Sequence, residues 1–324
     1  MILGLLEHNQ GTLNPQSFEM LTLARRLAEA SEVPLCVVLV GASAEPFASE
    51  LAKYGVQTIH QAQPEAVTDF APAAWAAAIV ELAETEQPSA ILAAGTDRGN
   101  EVMAHVAARL NQPLAANVTA VTPGDDYQVT RVRWGGSLLE DAWLKGEPKL
   151  MTVAPHVITV EETAVANQVT IQPFTPTLTE DDLRVCVANR VQPEEDKVTL
   201  AEARVVVSGG RGVGSAEGFE ALEALAELLG GAVGGSRVAT NLGWRPHSDQ
   251  VGQTGTRVAP DLYIACGISG AIQHWVGCKG SKQILAINTD PEAPMVSKAD
   301  YAVIADLHEV LPALIEEIKQ LKTL

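Results

Sequence analysis

Four short turns rich in glycine and other small residues occur in the second half of this chain. They are residues 208–212, 235–237, 250–255 and 267–274. Short apolar runs directly precede the first and the last of them. A strand that ends in glycine or serine and then opens a helix points several backbone N–H groups at one place, a geometry that binds phosphate. Because Arg237 and His274 also lie in these turns, the pattern suggests a site for a large anionic cofactor that carries a polar ring system.

The turns need a framework that positions them, and the second half of the chain alternates strand and helix patterns. The predicted strands are residues 205–207, 262–266, 284–287 and 301–304, and the predicted helices are residues 216–229 and 309–321. Such an alternation is typical of a parallel sheet with helices packed on its faces. We therefore expect a C-terminal Rossmann-like domain that carries the turns at the ends of its strands.

The first half of the chain follows the same alternation. The predicted strands 2–7, 35–40 and 90–94 alternate with the predicted helices 15–31, 42–54, 73–86 and 101–110, and residues 95–100 form a predicted loop. This order indicates a doubly wound, mostly parallel sheet. Shorter predicted strands, which we expect to form an antiparallel extension of the same domain, follow at residues 127–134, 142–144, 150–153 and 166–171.

A stretch rich in proline and acidic residues separates the two halves. It surrounds one further predicted strand, residues 183–187, and includes the acidic segment at residues 193–196. Domain boundaries usually fall in linkers of this kind. The sequence therefore predicts an α/β protein with two domains, residues 1–195 and residues 196–324.

The composition is that of a globular protein with an acidic surface. The 324 residues are enough for two domains, and the formal net charge is −18. Residues 1–200 carry 26 acidic and 12 basic side chains, whereas residues 201–324 carry 14 and 10. This charge argues against nucleic acids and anionic membranes as partners, and it makes the second half the better place for a phosphate-bearing ligand. Solubility alone is the alternative explanation for the acidity.

We expect neither a targeting segment nor a metal site. The N-terminus has no basic region before Glu7, so residues 2–7 are interpreted as a first strand and not as a signal peptide. No apolar stretch approaches the roughly 18 residues that a membrane span needs. The four cysteines form no C-x-x-C pair, which argues against zinc and iron–sulfur sites. Free thiols fit a reducing compartment, and we expect the cytoplasm.

At the four turns the chain resembles a known family, the alpha subunits of electron-transfer flavoproteins. The resemblance is close over residues 204–324 and looser but collinear over residues 1–200. The phrases that carry it are Ser208-Gly-Gly-Arg-Gly212, Ser236-Arg237, Gln250-Val-Gly-Gln-Thr-Gly255, Gly267-Ile-Ser-Gly-Ala-Ile-Gln-His274, Ala286-Ile-Asn288, Asp290-Pro-Glu-Ala-Pro294 and Ala305-Asp306. Members of this family bind one FAD per heterodimer, mainly through this C-terminal domain. The resemblance thus implies FAD as the cofactor.

The resemblance implies that three polar side chains surround the flavin ring. Arg237 would place its guanidinium against the isoalloxazine, where a fixed cation favours the one-electron-reduced, anionic flavin and raises the first reduction potential. Thr254 would give its hydroxyl to flavin N5. His274 would lie near the pyrimidine-side carbonyl, where negative charge gathers on reduction. The alternative interpretations are a surface salt bridge, a turn-stabilising threonine and a neutral buried histidine.

The resemblance assigns the phosphates to backbone groups and to one arginine. Ser269, Gly270 and Ala271 would open a helix and offer their N–H groups to the pyrophosphate. Arg211 would pair with a phosphate or lie close to the AMP half of the cofactor.

The remaining implied contacts lie along the flavin edge and at strand ends. The residues that would wrap the ribityl chain and the flavin edge are Val251, Gly252 and Gln253. Asn288 and Asp306 would bind the adenosine, although Asp306 is also a good candidate for a helix N-cap. The other implied cofactor contacts are Ser236, Ile272, Gln273 and Leu307.

In function, the resemblance implies an electron carrier without substrate chemistry of its own, and no catalytic triad or paired-carboxylate pattern argues otherwise. The chain would pair with a beta subunit, with its first domain as scaffold and interface. It would take electrons from flavoprotein dehydrogenases, such as the acyl-CoA dehydrogenases of fatty acid beta-oxidation, and pass them to a membrane quinone oxidoreductase.

Three alternatives stay open at this point. They are the alpha subunit of a bifurcating NADH-linked flavoprotein, a pyridine-nucleotide oxidoreductase and a scaffold without a cofactor. The second of these is weakened because Gly209-x-x-Gly212-x-Gly214 is a poor match to the dinucleotide-binding fingerprint.

Overall fold

The structure, a computed structural model, describes residues 1–9, 11–64, 67, 69–134, 138–163, 168–187 and 198–322. The chain divides into two compact units, Met1–Arg190 and Val191–Leu324, and each is described by itself. The predicted domain boundary between residues 195 and 196 and the predicted linker at 193–196 lie outside the described residues. The boundary therefore stays a prediction.

A large sheet with helices on both faces forms the first unit. Its strands are β1 (Ile2–Leu6), β2 (His8–Asn9), β3 (Thr12–Leu13), β4 (Leu35–Val40), β5 (Thr58–Ala62), β6 (Ala90–Ala94), β7 (Leu114–Thr122), β8 (Tyr127–Arg133), β9 (Leu138–Leu144), β10 (Lys149–Val153) and β11 (Thr170–Phe174). Its helices are α1 (Gln16–Ala30), α2 (Glu45–Ala52), α3 (Pro72–Glu86) and α4 (Asp97–Leu110). The nine-stranded sheet has the order β11-β5-β4-β1-β6-β10-β7-β8-β9, and β2 and β3 pair separately.

The central strands are apolar along their whole length because helices cover both faces of the sheet. Successive side chains of a strand point to opposite faces. Ile2 and Leu6 therefore pack with side chains of α1 and α2, whereas Leu3 and Leu5 pack with side chains of α3 and α4. The prediction of a doubly wound, mostly parallel sheet is confirmed, and the antiparallel extension consists of β7, β8 and β9.

Two strands that we expected to be antiparallel are parallel instead. β10 lies between β6 and β7 and runs parallel to both of them. β11 runs parallel to β5 at the other edge of the sheet. It begins later than the predicted strand 166–171, of which residues 166 and 167 lie outside the described part. A short apolar run does not specify a pairing direction, because strand pairing depends on neighbours that are distant in sequence.

The predicted strand at residues 183–187 is wrong. Glu180–Leu183 forms a 3₁₀ helix, and residues 184–187 form no strand. The backbone N–H and the hydroxyl of Thr179 donate to the Asp182 carboxylate at 2.8 and 2.7 Å, and Asp182 also pairs with Arg109. Local capping of this kind favours a helical turn over an extended chain.

The helix predicted at residues 101–110 begins earlier, at Asp97, so the predicted loop contains its first turn. The hydroxyl of Thr96 accepts a hydrogen bond from the N–H of Gly99 at 2.8 Å. Threonine is a favoured N-cap residue for this reason, and the cap sets where the helix starts.

The second unit is a smaller α/β layer structure, which confirms the predicted fold class. Its strands are β12 (Val205–Gly209), β13 (Ala232–Gly235), β14 (Leu262–Cys266), β15 (Gln283–Asn288) and β16 (Tyr301–Ile304). Its helices are α5 (Glu220–Leu229), α6 (Arg237–Asn241), α7 (Ile272–Cys278), α8 (Pro294–Lys298) and α9 (Leu307–Lys322). The five strands form one parallel sheet in the order β13-β12-β14-β15-β16.

Alternation along the strands again produces a core on each face of this sheet. Val207 and Ile264 pack with apolar side chains of α5 and α9. Val206 and Tyr263 face the other side, where they pack with Ile268 and neighbouring apolar residues.

Within the described ranges, no helix combines the length and the apolar character needed to cross a bilayer. The same ranges contain no group of three or more His, Cys, Asp and Glu side chains that could hold a metal ion. All four cysteines are free thiols. Burial raises the pKa of Cys266 and of Cys278 to about 12, so both are packing residues and not nucleophiles.

Candidate functional site

The segments that carry the predicted site residues meet at one edge of the second sheet. Because its strands are parallel, their carboxyl ends lie at the same edge. Arg211 follows β12, Arg237 follows β13 and Ser269 follows β14. Asn288 is the last residue of β15, and Asp306 comes shortly after β16. The topology thus assembles one edge from segments that are far apart in sequence.

Backbone hydrogen bonds tie the turns at this edge to each other. The N–H groups of Gly210 and Gly212 donate to the carbonyls of Cys266 and Gly267 at 2.9 and 3.0 Å, and Gly267 donates to the carbonyl of Ile287 at 2.9 Å. A Cβ atom would lie 2.3 Å from the Gly267 oxygen if it were placed on Gly210, and 2.7 Å from the Gly267 Cα if it were placed on Gly212. Only glycine permits this approach, so these turns are interlocked and rigid.

The third predicted turn is held against α7. The N–H of Gln253 donates to the carbonyl of Gln273 at 2.7 Å. A Cβ atom on Gly277 would lie 2.3 Å from the backbone nitrogen of Gly252, so glycine lets the turn and the helix touch. The contact fixes the loop that carries Thr254 beside α7.

The predicted contacts of this loop and of α7 differ in exposure. Val251 and Gly252 are buried within the loop. The exposed ones are Gln253, Thr254, Ile272 and Gln273. Their side chains are therefore accessible to a ligand at this edge.

His274 is a buried histidine. Its Nε2 lies 2.8 Å from the hydroxyl oxygen of Tyr263, which is also buried. Burial lowers the pKa of His274 to about 4, and a weaker backbone interaction with Val251 acts in the opposite direction. The ring is therefore neutral at pH 7. Its Nδ1 is buried and forms no hydrogen bond of normal geometry with the described residues. If Tyr263 donates to Nε2, the ring hydrogen lies on Nδ1, near the backbone of Val251.

We expect the free energy of unfolding to fall, through His274, as the pH is lowered from about 6.5 towards 4. The unfolded chain takes up a proton near pH 6.5, whereas the folded chain does so only near pH 4, so protons favour the unfolded state within this window. The full effect is about 3 kcal/mol. Urea unfolding at pH 7 and pH 4.5 should show a smaller acid effect in His274→Gln than in the wild type. Equal pH dependence in both proteins would contradict the buried, neutral state.

Three arginines in or directly after the predicted turns have no ion-pair partner in the described part of the chain. They are Arg211, Arg237 and Arg257. Arg204 and Arg245 of the same unit, in contrast, form ion pairs with neighbouring carboxylates. Unpaired guanidinium groups in a chain with a net charge of −18 are suited to an anionic ligand.

The turn after β14 presents open backbone amides. The N–H groups of Ser269, Gly270 and Ala271 donate to no acceptor among the residues that the structure describes. Gly270 has a φ of +81°, and a Cβ atom there would lie 2.3 Å from the backbone nitrogen of Met295. Successive open amides in a turn with positive φ are typical of anion-binding backbone.

Several predicted contacts at the strand ends have structural partners of their own. The Asn288 amide donates to a carbonyl of the preceding turn at 3.0 Å. Asp306 caps α9, since its carboxylate accepts a backbone N–H at 2.9 Å, and Ser236 caps α6 at 3.3 Å. Leu307 is buried at the start of α9. The N-cap interpretation of Asp306 is therefore observed, and its contact with adenosine stays a prediction.

Two polar residues that the sequence analysis does not assign to the site, Tyr263 and Gln250, hold predicted site residues in place. Tyr263 is the hydrogen-bond partner of His274, and Gln250 joins Thr240 to Thr254 through two contacts of 2.9 Å. A tyrosine hydroxyl within a fully buried apolar strand needs a partner, and this was the available signal for Tyr263. The pairing of Gln250 depends on a contact between its loop and α6 and has no local signature.

Comparisons with known proteins identify the family of this chain. Residues 199–279 match the family model described as electron transfer flavoprotein FAD-binding domain, and residues 2–178 match the electron transfer flavoprotein domain. Protein FixB of Clostridium saccharobutylicum is 38% identical over 319 residues, which cover 97% of this chain and 95% of that protein. Electron transfer flavoprotein subunit alpha of Mycobacterium tuberculosis is 40% identical over 322 residues, which cover 99% of both chains.

A third relative, electron transfer flavoprotein subunit alpha of Thermoanaerobacterium thermosaccharolyticum, is 36% identical over 319 residues, which cover 98% of this chain and 97% of that protein. Identity at this level over nearly the whole length confirms the resemblance that the turns suggested. The chain belongs to the electron transfer flavoprotein alpha-subunit family, and its second unit contains the FAD-binding domain of that family.

Proposed function

We propose that this chain is the alpha subunit of a heterodimeric electron carrier that holds FAD together with a beta subunit. One observation carries the proposal: the open amides of residues 269–271, the unpaired Arg237 and the buried Nδ1 of His274 all lie on segments at the same edge of the second sheet. In the proposed division of roles, residues 1–195 serve as scaffold and subunit interface, and residues 196–324 hold the cofactor.

The groups at this edge fit FAD. Its diphosphate is anionic, and the open amides of the turn after β14 and the Arg211 guanidinium are donors for it. Its ring system carries acceptor atoms, for which the donors are Arg237, the Thr254 hydroxyl and the His274 Nδ1. Bound FAD would supply reversible one- and two-electron redox chemistry. The chain itself binds and orients the cofactor and sets the charge around it.

Two of these side chains have electrostatic roles that differ. Arg237 supplies a guanidinium cation, so it favours negative charge on the ring. His274 is neutral at pH 7 and donates a hydrogen bond without titrating in the working range. In this proposal the chain is a carrier and not an enzyme, because no side chain has to break or form a bond in a substrate.

Membership of the family supports the proposed electron route. The donors are flavoprotein dehydrogenases such as the acyl-CoA dehydrogenases of fatty acid beta-oxidation, and the acceptor is a membrane quinone oxidoreductase. The carrier itself works in the cytoplasm. These assignments rest on family membership and on no contact within this chain.

We assign the contact with the beta subunit to the antiparallel strands β8 and β9. The exposed fractions of the neighbouring side chains Trp134, Leu139 and Trp143 are 80%, 71% and 65%. Leu139 and Trp143 lie four residues apart on β9 and thus on one face of the sheet. Large exposed apolar side chains that share a face are characteristic of protein–protein interfaces.

Replacing Trp143 by serine is expected to weaken the heterodimer roughly 30-fold, since a buried interface tryptophan typically contributes 2 kcal/mol or more. Stability of the free chain should hardly change, because the side chain is exposed there. Titration calorimetry with the purified beta subunit measures the dissociation constant. Val157→Ser is the control, because Val157 is also exposed, at 45%, in the same unit. The assignment fails if both variants bind like the wild type.

The proposed function is tested by co-expressing this chain with its beta subunit and recording the visible spectrum of the purified heterodimer. A flavin spectrum that disappears on stepwise dithionite reduction would support the carrier. Two flavins per heterodimer would indicate the bifurcating type. A folded, colourless heterodimer that FAD does not reconstitute would refute the proposal, and binding of NADH without flavin would favour a pyridine-nucleotide enzyme.

A further inference from the structure

The side-chain amide of Gln250 is clamped between two threonine hydroxyls. Its Oε1 accepts from the Thr240 hydroxyl at 2.9 Å, and its Nε2 donates to the Thr254 hydroxyl oxygen at 2.9 Å. Gln250 is 1% exposed, so neither amide atom has water as an alternative partner. A buried amide with both ends satisfied has one stable position.

The backbone of Gln250 is fixed as well. Its N–H donates to the carbonyl of His247 at 3.0 Å, and its carbonyl accepts from the N–H of Thr256 at 2.7 Å. It also forms an isolated bridge with Gly235, at the end of β13. The backbone from which the amide extends is therefore held on both sides.

The direction of the two hydrogen bonds has a consequence for Thr254. An amide nitrogen only donates, so the Thr254 oxygen is the acceptor in its contact with Gln250. The hydrogen of Thr254 is left without an acceptor among the described residues, and the side chain is exposed at the cofactor edge. We infer that Gln250 is a positioning residue that makes the Thr254 hydroxyl a hydrogen-bond donor towards the bound flavin. This inference rests on the proposed function.

Thr240 sets the orientation of the amide. Its hydroxyl lies 2.9 Å from Gln250 Oε1 and 3.2 Å from the carbonyl oxygen of Arg237, and it has a single hydrogen to give. When this hydrogen goes to Oε1, the nearer of the two acceptors, Oε1 stays on the Thr240 side and Nε2 on the Thr254 side. A reversed amide would accept from Thr254 and turn its hydrogen away from the edge. Thr240 and Gln250 thus connect the segment of Arg237 to the hydroxyl of Thr254.

The test uses the heterodimer loaded with ¹⁵N-labelled FAD and measures the N5 resonance, which reports hydrogen bonding to that atom. Gln250→Glu has nearly the same shape but, when ionised, only acceptor oxygens, so it should draw the Thr254 hydrogen to itself; the N5 resonance is therefore recorded at pH 8 or above. We expect its N5 resonance to move most of the way to that of Thr254→Val, with FAD binding roughly 3- to 10-fold weaker. When Gln250→Glu is combined with Thr254→Val, it should no longer move the N5 resonance.

Thr240 supplies the matched pair of controls. Thr240→Ser keeps the hydroxyl and should keep the N5 resonance of the wild type, whereas Thr240→Val removes the hydroxyl and should shift it. Urea unfolding of each variant separates these effects from a loss of folding. An N5 resonance that is unchanged in Gln250→Glu but shifted in Thr254→Val would overturn the role of Gln250. An N5 resonance that is unchanged in both Gln250→Glu and Thr254→Val would also overturn the role of Gln250. FAD binding and the proposed function would stand in that case. A wild-type heterodimer that takes up no FAD would refute the proposed function itself.

Discussion

Replacing Arg237 by alanine is expected to lower the first reduction potential of bound FAD by roughly 50–90 mV, the equivalent of about 1–2 kcal/mol for one electron. The guanidinium has no ion-pair partner among the described residues, so its charge is available to the ring. The side chain is exposed, and solvent screening keeps the effect below that of a fully buried charge. Spectroelectrochemical titration of the heterodimer measures the change.

Two controls separate charge from position in this experiment. Arg237→Lys keeps the charge and should retain most of the potential. Arg204→Ala removes a positive charge of the same unit that directly precedes β12 and is already paired with Asp261, so it should change the potential very little. If Arg237→Ala leaves the potential where it was, the electrostatic role of Arg237 is wrong.

The second large effect is expected for Gly270→Ala, which should destabilise the second unit by about 2–5 kcal/mol and prevent retention of FAD. The backbone has a φ of +81° at this position, which costs an alanine about 1–2 kcal/mol. The new Cβ atom would also lie 2.3 Å from the backbone nitrogen of Met295, and such overpacking costs a further 1–3 kcal/mol, approximately. Urea unfolding with hydrogen exchange read out at β14 and β15 measures the loss.

Gly214→Ala is the matched control for Gly270→Ala. Gly214 has nearly the same φ, +86°, but nothing lies within 4 Å of the position of its Cβ atom. Only the conformational cost applies there, so a loss of about 1–2 kcal/mol is expected, with FAD retained. A similar loss in both variants would mean that the close packing of the turn against Met295 contributes nothing.

Strands whose pattern is set locally were predictable from the sequence. β4, β6 and β14 are short, continuous apolar runs, and both faces of such a strand must be buried whatever the neighbours are. The predicted ends agree with the structure for all three. β7 was not predicted, because only two of its nine positions, Ala115 and Val118, are buried and its side chains do not form a continuous apolar run.

Pairing direction and helix starts were harder to predict. β10 was expected to be antiparallel, yet it lies between two strands that are parallel to it. Which strand becomes its neighbour depends on how α4 and the strands β8 and β9 pack. The five residues of β10 do not specify this packing. Where capping decided the outcome, as at Thr96 and Asp182, local side-chain hydrogen bonds outweighed the apolar pattern.

For the site, the residue types and their order already pointed to the cofactor. Glycine at positions 210, 212 and 270 is required because neighbouring backbone occupies the place of a side chain, and this requirement is visible as small-residue turns after apolar runs. The predicted cofactor, FAD, follows from these turns and from the family to which they led.

The state of each polar group, in contrast, depends on folding. Whether an arginine is paired, as Arg245 is, or unpaired, as Arg237 is among the described residues, depends on carboxylates that other segments bring near it. The protonation state of His274 follows from its burial beside Tyr263. The donor direction of the Thr254 hydroxyl follows from the side-chain amide of Gln250, which Thr240 of α6 holds. Burial and hydrogen-bond partners are properties of several segments in contact, so no local pattern of residues contains them.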